Sequence, residues 1–362
     1  MACLCSLLSS ARADNAETTG RLQPAIRDLP AGRADVLSFA EGSGVDRQPT
    51  LTTLPDGGFV LVHSRYERGD MDSSGLRVVT STDGNAISGA DELAFGGEVE
   101  DAPSFVTTPG STWLYFASGD ADLGNATLWR SRLAGDGSFS PPEGLADVPG
   151  LRRLTQWPRW VDTGPDLFLT FRGERSRPYW LRLADGQAQG APLPLAPFGV
   201  AYPRVVPMAD NGCFFSYQRP PDGGYMATYF SVSPDCSRWS PPAALSWPAP
   251  PGKPDVHDAY ALARLDGGVD VYYVYPSRKG PGARFQVGFD LYRRAVMPDG
   301  SLGVEERLTA RDEFNPFAPS AHRFPDGTIL VTFSDILANG DNGVSSARLA
   351  LFKLAHDAPA PD

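Results

Sequence analysis

Short apolar runs with strand-like character recur along the whole chain, and each is entered through a tight polar turn. Phe59-Val-Leu-Val62, Trp113-Leu-Tyr-Phe116, Leu167-Phe-Leu-Thr170, Cys213-Phe-Phe-Ser216, Val269-Asp-Val-Tyr-Tyr273 and Ile329-Leu-Val-Thr-Phe333 follow the turns Asp56-Gly57, Pro109-Gly110, Thr163-Gly164, Asn211-Gly212, Asp266-Gly267 and Asp326-Gly327. Turns of this kind between two apolar runs predict β-hairpins, so one hairpin is expected in each of six units. The turn glycines, at 57, 110, 164, 212, 267 and 327, are spaced by 48 to 60 residues, which is the period of propeller blades.

Five of the units carry a second turn, at Asp83-Gly84, Asp136-Gly137, Asp185-Gly186, Asp235-Cys236 and Asp299-Gly300, expected to join a third strand to a fourth. The sixth unit ends after Ala347-Arg-Leu-Ala-Leu-Phe352 without such a turn and so lacks a fourth strand. The segment Ala34-Asp-Val-Leu-Ser-Phe39 resembles the fourth strand of the first unit, Ala90-Asp-Glu-Leu-Ala-Phe95. Residues 34–39 are therefore expected to complete the last sheet and remove its open edge. The expected fold class is all-β: a single six-bladed β-propeller over residues 20–356, its ring closed by an N-terminal strand. Trp157, Trp160, Phe215, Tyr272 and Phe333 are expected in its core.

Composition agrees with many short strands and tight turns. The 362 residues include 38 Gly, 34 Pro and 10% aromatics, with no long amphipathic helical period. A net charge of −11 opposes nucleic acid as a partner, because such binders gather Lys and Arg into a basic footprint. No run approaches the roughly 20 apolar residues that span a bilayer. Residues 1–10 form a brief apolar run before the small-x-small triplet Ala11-Arg12-Ala13, which resembles a signal-peptidase site. Residues 1–19 are thus expected to be a signal-like or disordered start, residues 357–362 a disordered tail, and the location secreted or periplasmic. Cys213 and Cys236 fall at one end of the fourth unit, a placement compatible either with a disulfide or with two buried thiols.

In a propeller, the starts of the innermost strands and the loops between second and third strands converge around the axial opening, where ligands bind. Those positions supply Asp46, Arg47, Glu100, Asp101, Gln156, Arg159, Tyr202, Arg204, His257, Asp258, Tyr260 and Asn315, with Arg65, Asp70, Asp72, Arg172, Glu174, Arg284 and Asp335 from the connections. Carboxylates mixed with arginines suit glycoside chemistry, in which a pair of acids acts on the bond and guanidinium forks hold an anionic substituent. Asp-rich segments at 119–125 and 339–342 offer hard oxygens to calcium without the full ligand ladder of a dedicated site, and no cofactor is otherwise expected.

Residues 47–84, with Arg47-Gln-Pro49, a Pro-Asp-Gly turn, an apolar strand, the loop Gly69-Asp70-Met-Asp72 and then Ser81-Thr-Asp83-Gly84, resemble the first blade of bacterial sialidases. The turns at Asp83 and at Ser233-Pro-Asp235-Cys-Ser-Arg-Trp239 are similar to the Asp-box of sialidase-like (BNR-repeat) propellers. In that device the short Asp caps its own turn and the aromatic packs beneath the blade. The resemblance implies that Arg47 grips a sugar carboxylate and that Asp70 is the acid/base, with Asp72 beside it. The later blades depart from the pattern: Phe317-Ala-Pro-Ser-Ala-His322 contains no tyrosine, and Tyr225-Met-Ala-Thr-Tyr229 no arginine. Arg284 is the candidate further arginine, and Tyr260 with Glu174 the candidate substitute for the tyrosine nucleophile and assisting Glu that the resemblance implies.

Three functions follow as expectations. The first is a sialidase-like glycoside hydrolase acting on an acidic or polar glycan. The second is a non-catalytic glycan- or protein-binding propeller. The third is a polysaccharide lyase in which Tyr260 or His257 removes a proton beside a carboxylate gripped by arginine. Asp70, Tyr260 and Glu174 are the catalytic candidates; Arg47, Asp72, Asp101, Arg159, Arg172, Arg204, His257, Asp258 and Arg284 are the substrate-binding ones.

Overall fold

The computed structural model describes residues 32–36, 44–67, 70–81, 91–96, 99–108, 110–119, 127–145, 159–162, 167–172, 178–184, 187–191, 193–194, 201–208, 212–219, 227–245, 257–276, 289–309, 314–324, 327–340 and 343–354. All regular structure among them is β. The strands are β1 (Arg33–Val36), β2 (Val45–Thr53), β3 (Phe59–Glu67), β4 (Asp70–Ser81), β5 (Asp91–Leu93), β6 (Val99–Thr108), β7 (Ser111–Gly119), β8 (Thr127–Leu133) and β9 (Glu143–Gly144). There follow β10 (Arg159–Asp162), β11 (Leu167–Arg172), β12 (Pro178–Ala184), β13 (Gln187–Ala188), β14 (Leu193–Pro194), β15 (Ala201–Pro207), β16 (Cys213–Arg219), β17 (Ala227–Ser233) and β18 (Ala243–Ala244). The last are β19 (His257–Ala263), β20 (Val269–Pro276), β21 (Phe289–Val296), β22 (Glu306–Arg307), β23 (Pro316–Arg323), β24 (Ile329–Gly340) and β25 (Gly343–Leu354).

Antiparallel meanders of consecutive strands make up β6 to β9, β10 to β13 with β14 on β12, β15 to β18, and β19 to β22. The remaining strands form one eight-stranded sheet in the order β23-β24-β25-β2-β3-β4-β5, with β1 on β25. The hydrogen-bonded sheets therefore number five, not the six expected. The physical reason is a single parallel bridge, Val45 to Ala347, which joins the first meander to the last. β1 pairs antiparallel with β25, Ala34 opposite Phe352; residues 37–39 of the expected strand lie outside the described residues. Innermost strands follow one another round a central axis: β2 lies beside β6, β6 beside β10, β10 beside β15, β15 beside β19, β19 beside β23, and β23 beside β2. This is an all-β propeller.

Apolar side chains pack between successive sheets. Phe214, Phe230, Val271 and Tyr273 share one cluster, and Tyr272, Leu291, Val331 and Phe333 share the next. The two halves of the eight-stranded sheet also face each other across a core, with Leu51, Leu61 and Val79 against Leu330, Leu349 and Leu351. Phe215, Tyr272 and Phe333 are buried as expected; Trp157 and the side chain of Trp160 lie outside the described residues.

One local device explains the recurring Asp-Gly turns. At Leu54, Ala134, Arg264 and Met297 the backbone N–H donates to the carbonyl four residues on, and the turn glycine donates back. Gly137 and Gly267 occupy φ of 85° and 90°, a left-handed conformation that costs glycine nothing. The Asp before each glycine accepts from the backbone two residues ahead, as Asp136 does from Ser138 at 3.0 Å and Asp299 from Ser301 at 2.8 Å. Cys236 stands where the other turns have glycine and still adopts φ 56°. Asp235 accepts there from the N–H groups of Ser237 and Arg238. Cys236 is tied to Cys213 by a disulfide with Cα atoms 5.0 Å apart, and Trp239 packs edge-on against Phe215.

Closing a loop of 23 residues is expected to contribute about 3 kcal/mol. The Cys213→Ala/Cys236→Ala double variant should unfold at correspondingly lower urea. Cys213→Ala/Cys236→Gly should recover about 1 kcal/mol of that loss by relieving the left-handed strain, read from paired urea titrations by circular dichroism. Equal stability of the two variants would show that position 236 carries no backbone strain.

Candidate functional site

Five of the six inner strands, all but β10, are interrupted by a one-residue bulge near their start. The register against the second strand slips between Arg47 and Thr50, Asp101 and Ser104, Ala201 and Arg204, His257 and Ala259, and Phe317 and Ser320. A bulge bends the strand and re-aims the side chain that follows. In three of these bulges a non-glycine residue before proline holds a left-handed backbone: Gln48 at φ 51°, Ala102 at 55° and Ala318 at 47°. The clash of the proline ring with the preceding residue already restricts that residue's backbone, so the conformation is held by the surrounding strands.

The bulges converge on one pocket at the axis, lined by Gln48, Pro49, Thr50, Pro103, Ser104, Arg204, Tyr260, Ala318, Pro319 and Ser320. Its wall is chemically uneven. Thr50, Ser104 and Ser320 bring hydroxyls from β2, β6 and β23, whereas β15 and β19 bring a cation and an aromatic ring. The Arg204 guanidinium carbon lies 3.6 Å from the centroid of the Tyr260 ring, a cation–π stack that holds the planar fork in one orientation. Thr50 Oγ1 accepts from the Phe105 N–H at 3.1 Å, which locks neighbouring inner strands together. Gln48 is 4% exposed, and its amide oxygen has no partner.

A second polar cluster lies between β2, β3 and β6. Asp46 is fully buried, 3.1 Å from the Arg65 guanidinium and 3.3 Å from His63 Nδ1. Burial raises its carboxyl to about 6 against the pull of Arg65. Burial likewise lowers His63 to about 3, so its imidazole is neutral at ordinary pH and Arg65 is the charged partner. Asp101, expected to bind substrate, is buried: its oxygens accept from Ser64 Oγ at 2.5 Å and Tyr66 Oη at 2.9 Å. The carboxylate thus ties β6 to β3. Glu100 accepts from the Phe95 N–H at 3.0 Å. Arg65 and Asp335, assigned to connecting loops by the sequence, lie within β3 and β24.

Of the expected site residues, the structure brings Arg204 and Tyr260 together and places Asp101 in the neighbouring seam. Asp70 starts β4, opposite Glu67, and the backbones of Arg47, Arg159, His257 and Asp258 lie in the inner strands β2, β10 and β19. Their side chains, and those of Asp72 and Arg172, lie outside the described residues. So do Glu174 and Arg284 entirely, with the acidic positions Asp120, Asp122 and Asp341 and the turn at Asp83. Residue-type reasoning passed over Gln48, Thr50, Ser104 and Ser320, which are uncharged. A usable signal was the proline recurring before the axial residue, in Pro49-Thr50, Pro103-Ser104, Pro203-Arg204 and Pro319-Ser320.

No protein-family model matches the chain, and no curated protein matches it. Among solved structures, the chain is similar to the GH93 α-L-arabinofuranosidase of Fusarium graminearum complexed with arabinobiose, at 15% identity, covering 85% of this chain and 92% of that one, with a TM-score of 0.57. It is similar to the α-L-arabinanase of Penicillium chrysogenum, also with arabinobiose, at 14% identity, 85% and 93% coverage and a TM-score of 0.58. The NanB sialidase of Streptococcus pneumoniae aligns at 12% identity over 88% of this chain and 69% of that one, with a TM-score of 0.58. At such identity the likeness establishes the shared propeller fold.

The buried pair generates a pH dependence. His63, depressed to about 3, contributes stability that is complete above its ordinary value near 6.5 and is lost as pH falls through about 3. Asp46, raised to about 6, acts with opposite sign, its contribution being present below about 4 and lost as pH rises through 6. Replacing His63→Gln removes only the first slope. The stability difference between wild type and variant should therefore move in the variant's favour as pH is lowered from 7 to 4, measured by urea midpoints. A difference independent of pH would remove His63 from the acid response.

Proposed function

We propose that this chain is a secreted or periplasmic glycoside hydrolase that acts on an acidic or otherwise polar glycan at the axial mouth of its propeller. The observation that carries the reading is the axial pocket itself. An oriented guanidinium stacked on an aromatic ring, beside three hydroxyl side chains, offers donors and acceptors to the polar edge of a glycan lying across the mouth. The glycosidases among its structural neighbours, two of them complexed with arabinobiose, support a carbohydrate ligand. In this reading Asp70 is the acid/base, Tyr260 with Glu174 the second catalytic group, and Arg47, Arg204 and Arg284 the grip on an anionic substituent. Asp72, Arg159, Arg172, His257 and Asp258 complete the mouth. The disulfide at Cys213 and Cys236 suits an oxidising compartment.

We further infer that the eight-stranded sheet serves as two blades, β2 to β5 and β23 to β25 with β1, because its halves bury apolar faces against each other and share one bridge. β1 then acts as a seam between the chain's ends. Deleting residues 1–40 leaves one edge of β25 bare and should lower the urea midpoint and promote association. A truncated chain with unchanged stability would argue against the seam.

A non-catalytic glycan-binding propeller is the second reading. It is favoured by the engagement of Asp46 and Asp101 with protein partners, which keeps both carboxylates from substrate.

Turnover of a panel of aryl arabinofuranosides, sialosides and uronides separates the two readings. Asp70→Ala should lower kcat at least 10³-fold with an unchanged unfolding profile. Arg204→Ala should weaken glycan binding about tenfold. Binding without product by the wild type would favour the non-catalytic reading, and full activity of Asp70→Ala would exclude it as the acid/base.

A further inference from the structure

The two halves of the eight-stranded sheet face each other through a core of leucines, yet the same seam encloses imidazoles. His63 lies two residues beyond Leu61 on β3, so strand alternation points it, like Leu61, at the last meander. His322 of β23 stands opposite Leu330 and packs edge-on against Phe324, both of which belong to that core. The two histidines whose side chains are described therefore enter one seam from opposite sides. His63 is buried; His322 is half-buried, with its Nε2 enclosed and without a partner. Loss of water lowers His63 to about 3 and His322 to about 4, so both rings are neutral at pH 7.

The charges around them oppose protonation. Asp46 Oδ1 lies 3.3 Å from His63 Nδ1 and 3.1 Å from the Arg65 guanidinium. Arg77 of β4 stands opposite His63, 3.7 Å from Glu92 of β5. From the last meander, Lys353 of β25 is in register with Leu330 and so shares the face of His322. Arg323 instead donates to the Ala263 carbonyl of the preceding sheet, and Asp335 accepts from the Asn315 N–H. Arg65, Arg77 and Lys353 thus bring cations to the seam. Burial raises Asp46 to about 6, so below that pH its carboxyl carries no charge to match an imidazolium.

We propose that this seam is an acid-operated opening, in which protonation of His63 and His322 parts the first meander from the last and disassembles the axial mouth. The effect on the mouth follows from the strands involved and does not depend on which ligand the mouth takes. β2 and β23 both border the axial pocket, through Gln48 and Thr50 on one side and Ala318 and Ser320 on the other. The first and last meanders are laddered through the bridge from Val45 to Ala347, so parting them costs little backbone pairing. Linkage sets the direction. Each histidine, hydrated by the opening, returns toward its ordinary value near 6.5, so the open form takes up protons as pH falls from 6.5 toward 4. Asp46 acts oppositely, because between about 4 and 6 it holds a proton in the closed form and loses it on opening. One histidine is thereby offset, and the other leaves a net uptake of about one proton.

Hydrogen–deuterium exchange of the full chain at pH 7 and at about pH 4.5, each corrected for the intrinsic exchange rate, tests the proposal. Protection of β2 to β4 and of β23 to β25 should fall at least about tenfold at the lower pH, while β15 to β18 keep theirs. His322→Gln should shrink that fall to about threefold, because Asp46 then offsets His63. His63→Gln should shrink it equally, because Asp46 then offsets His322. Each variant is compared with itself at the two pH values, so a uniform loss of stability does not imitate the effect, and either variant suffices if the other fails to fold. Unchanged protection in the wild type, an equal fall in every sheet, or an undiminished fall in a folded variant would each overturn the proposal.

Discussion

Sheets with apolar side chains on both faces, as the β19–β22 sheet shows with Val271 and Tyr273 on one side and Tyr272 and Leu291 on the other, set the constraint that organises the rest. A sheet with two apolar faces must be covered on both sides, and here the cover is the next sheet, as Phe214 and Phe230 of one meander pack with Val271 and Tyr273 of the next. Repeated around the chain, this packing sets the sheets side by side about an axis and points every innermost strand at the same centre. The first and last meanders obey the same rule, since Leu51 and Leu61 meet Leu330 and Leu351 even though one bridge joins their strands into a single sheet.

Polar groups near the axis are handled in two different ways. In the cluster between β2, β3 and β6, carboxylates that look like ligand-binding groups in the sequence are consumed by the protein: Asp101 by Ser64 and Tyr66, Asp46 by Arg65. Such buried, hydrogen-bonded charges position strands, because breaking one partner leaves the other stranded in a low-dielectric interior. Around the axial pocket the bulges instead turn side chains inward, and the donors and acceptors of Arg204, Gln48 and the three hydroxyls face a shared space.

The bulges link these two behaviours. In β6 one added residue interrupts the regular ladder, so that a residue before it belongs to the inter-sheet seam and one after it to the axis. Asp101 and Ser104, three residues apart, consequently serve different purposes. Left-handed backbone at Gln48, Ala102 and Ala318 is the local cost of that change of direction.

Repetition was written in the sequence because its causes are local. The Asp-Gly turns at 56, 136, 266 and 299 need an αL residue and a capping carboxylate within a few positions, and apolar runs must follow them. The β class, the hairpins and the proximity of Cys213 to Cys236 were therefore legible from spacing alone. What residue types could not reveal was which polar side chain faces protein and which faces the axis. Asp101 and Arg204 look equally suited to a ligand, yet one is enclosed by hydroxyls from another sheet while the other lines the pocket on a tyrosine ring. Only the tertiary structure decided between them, because the decision depends on a bulge within one strand and on side chains 35 or more residues away. The merging of two meanders into one sheet was hidden for the same reason: a single bridge between Val45 and Ala347 leaves no local mark on either strand.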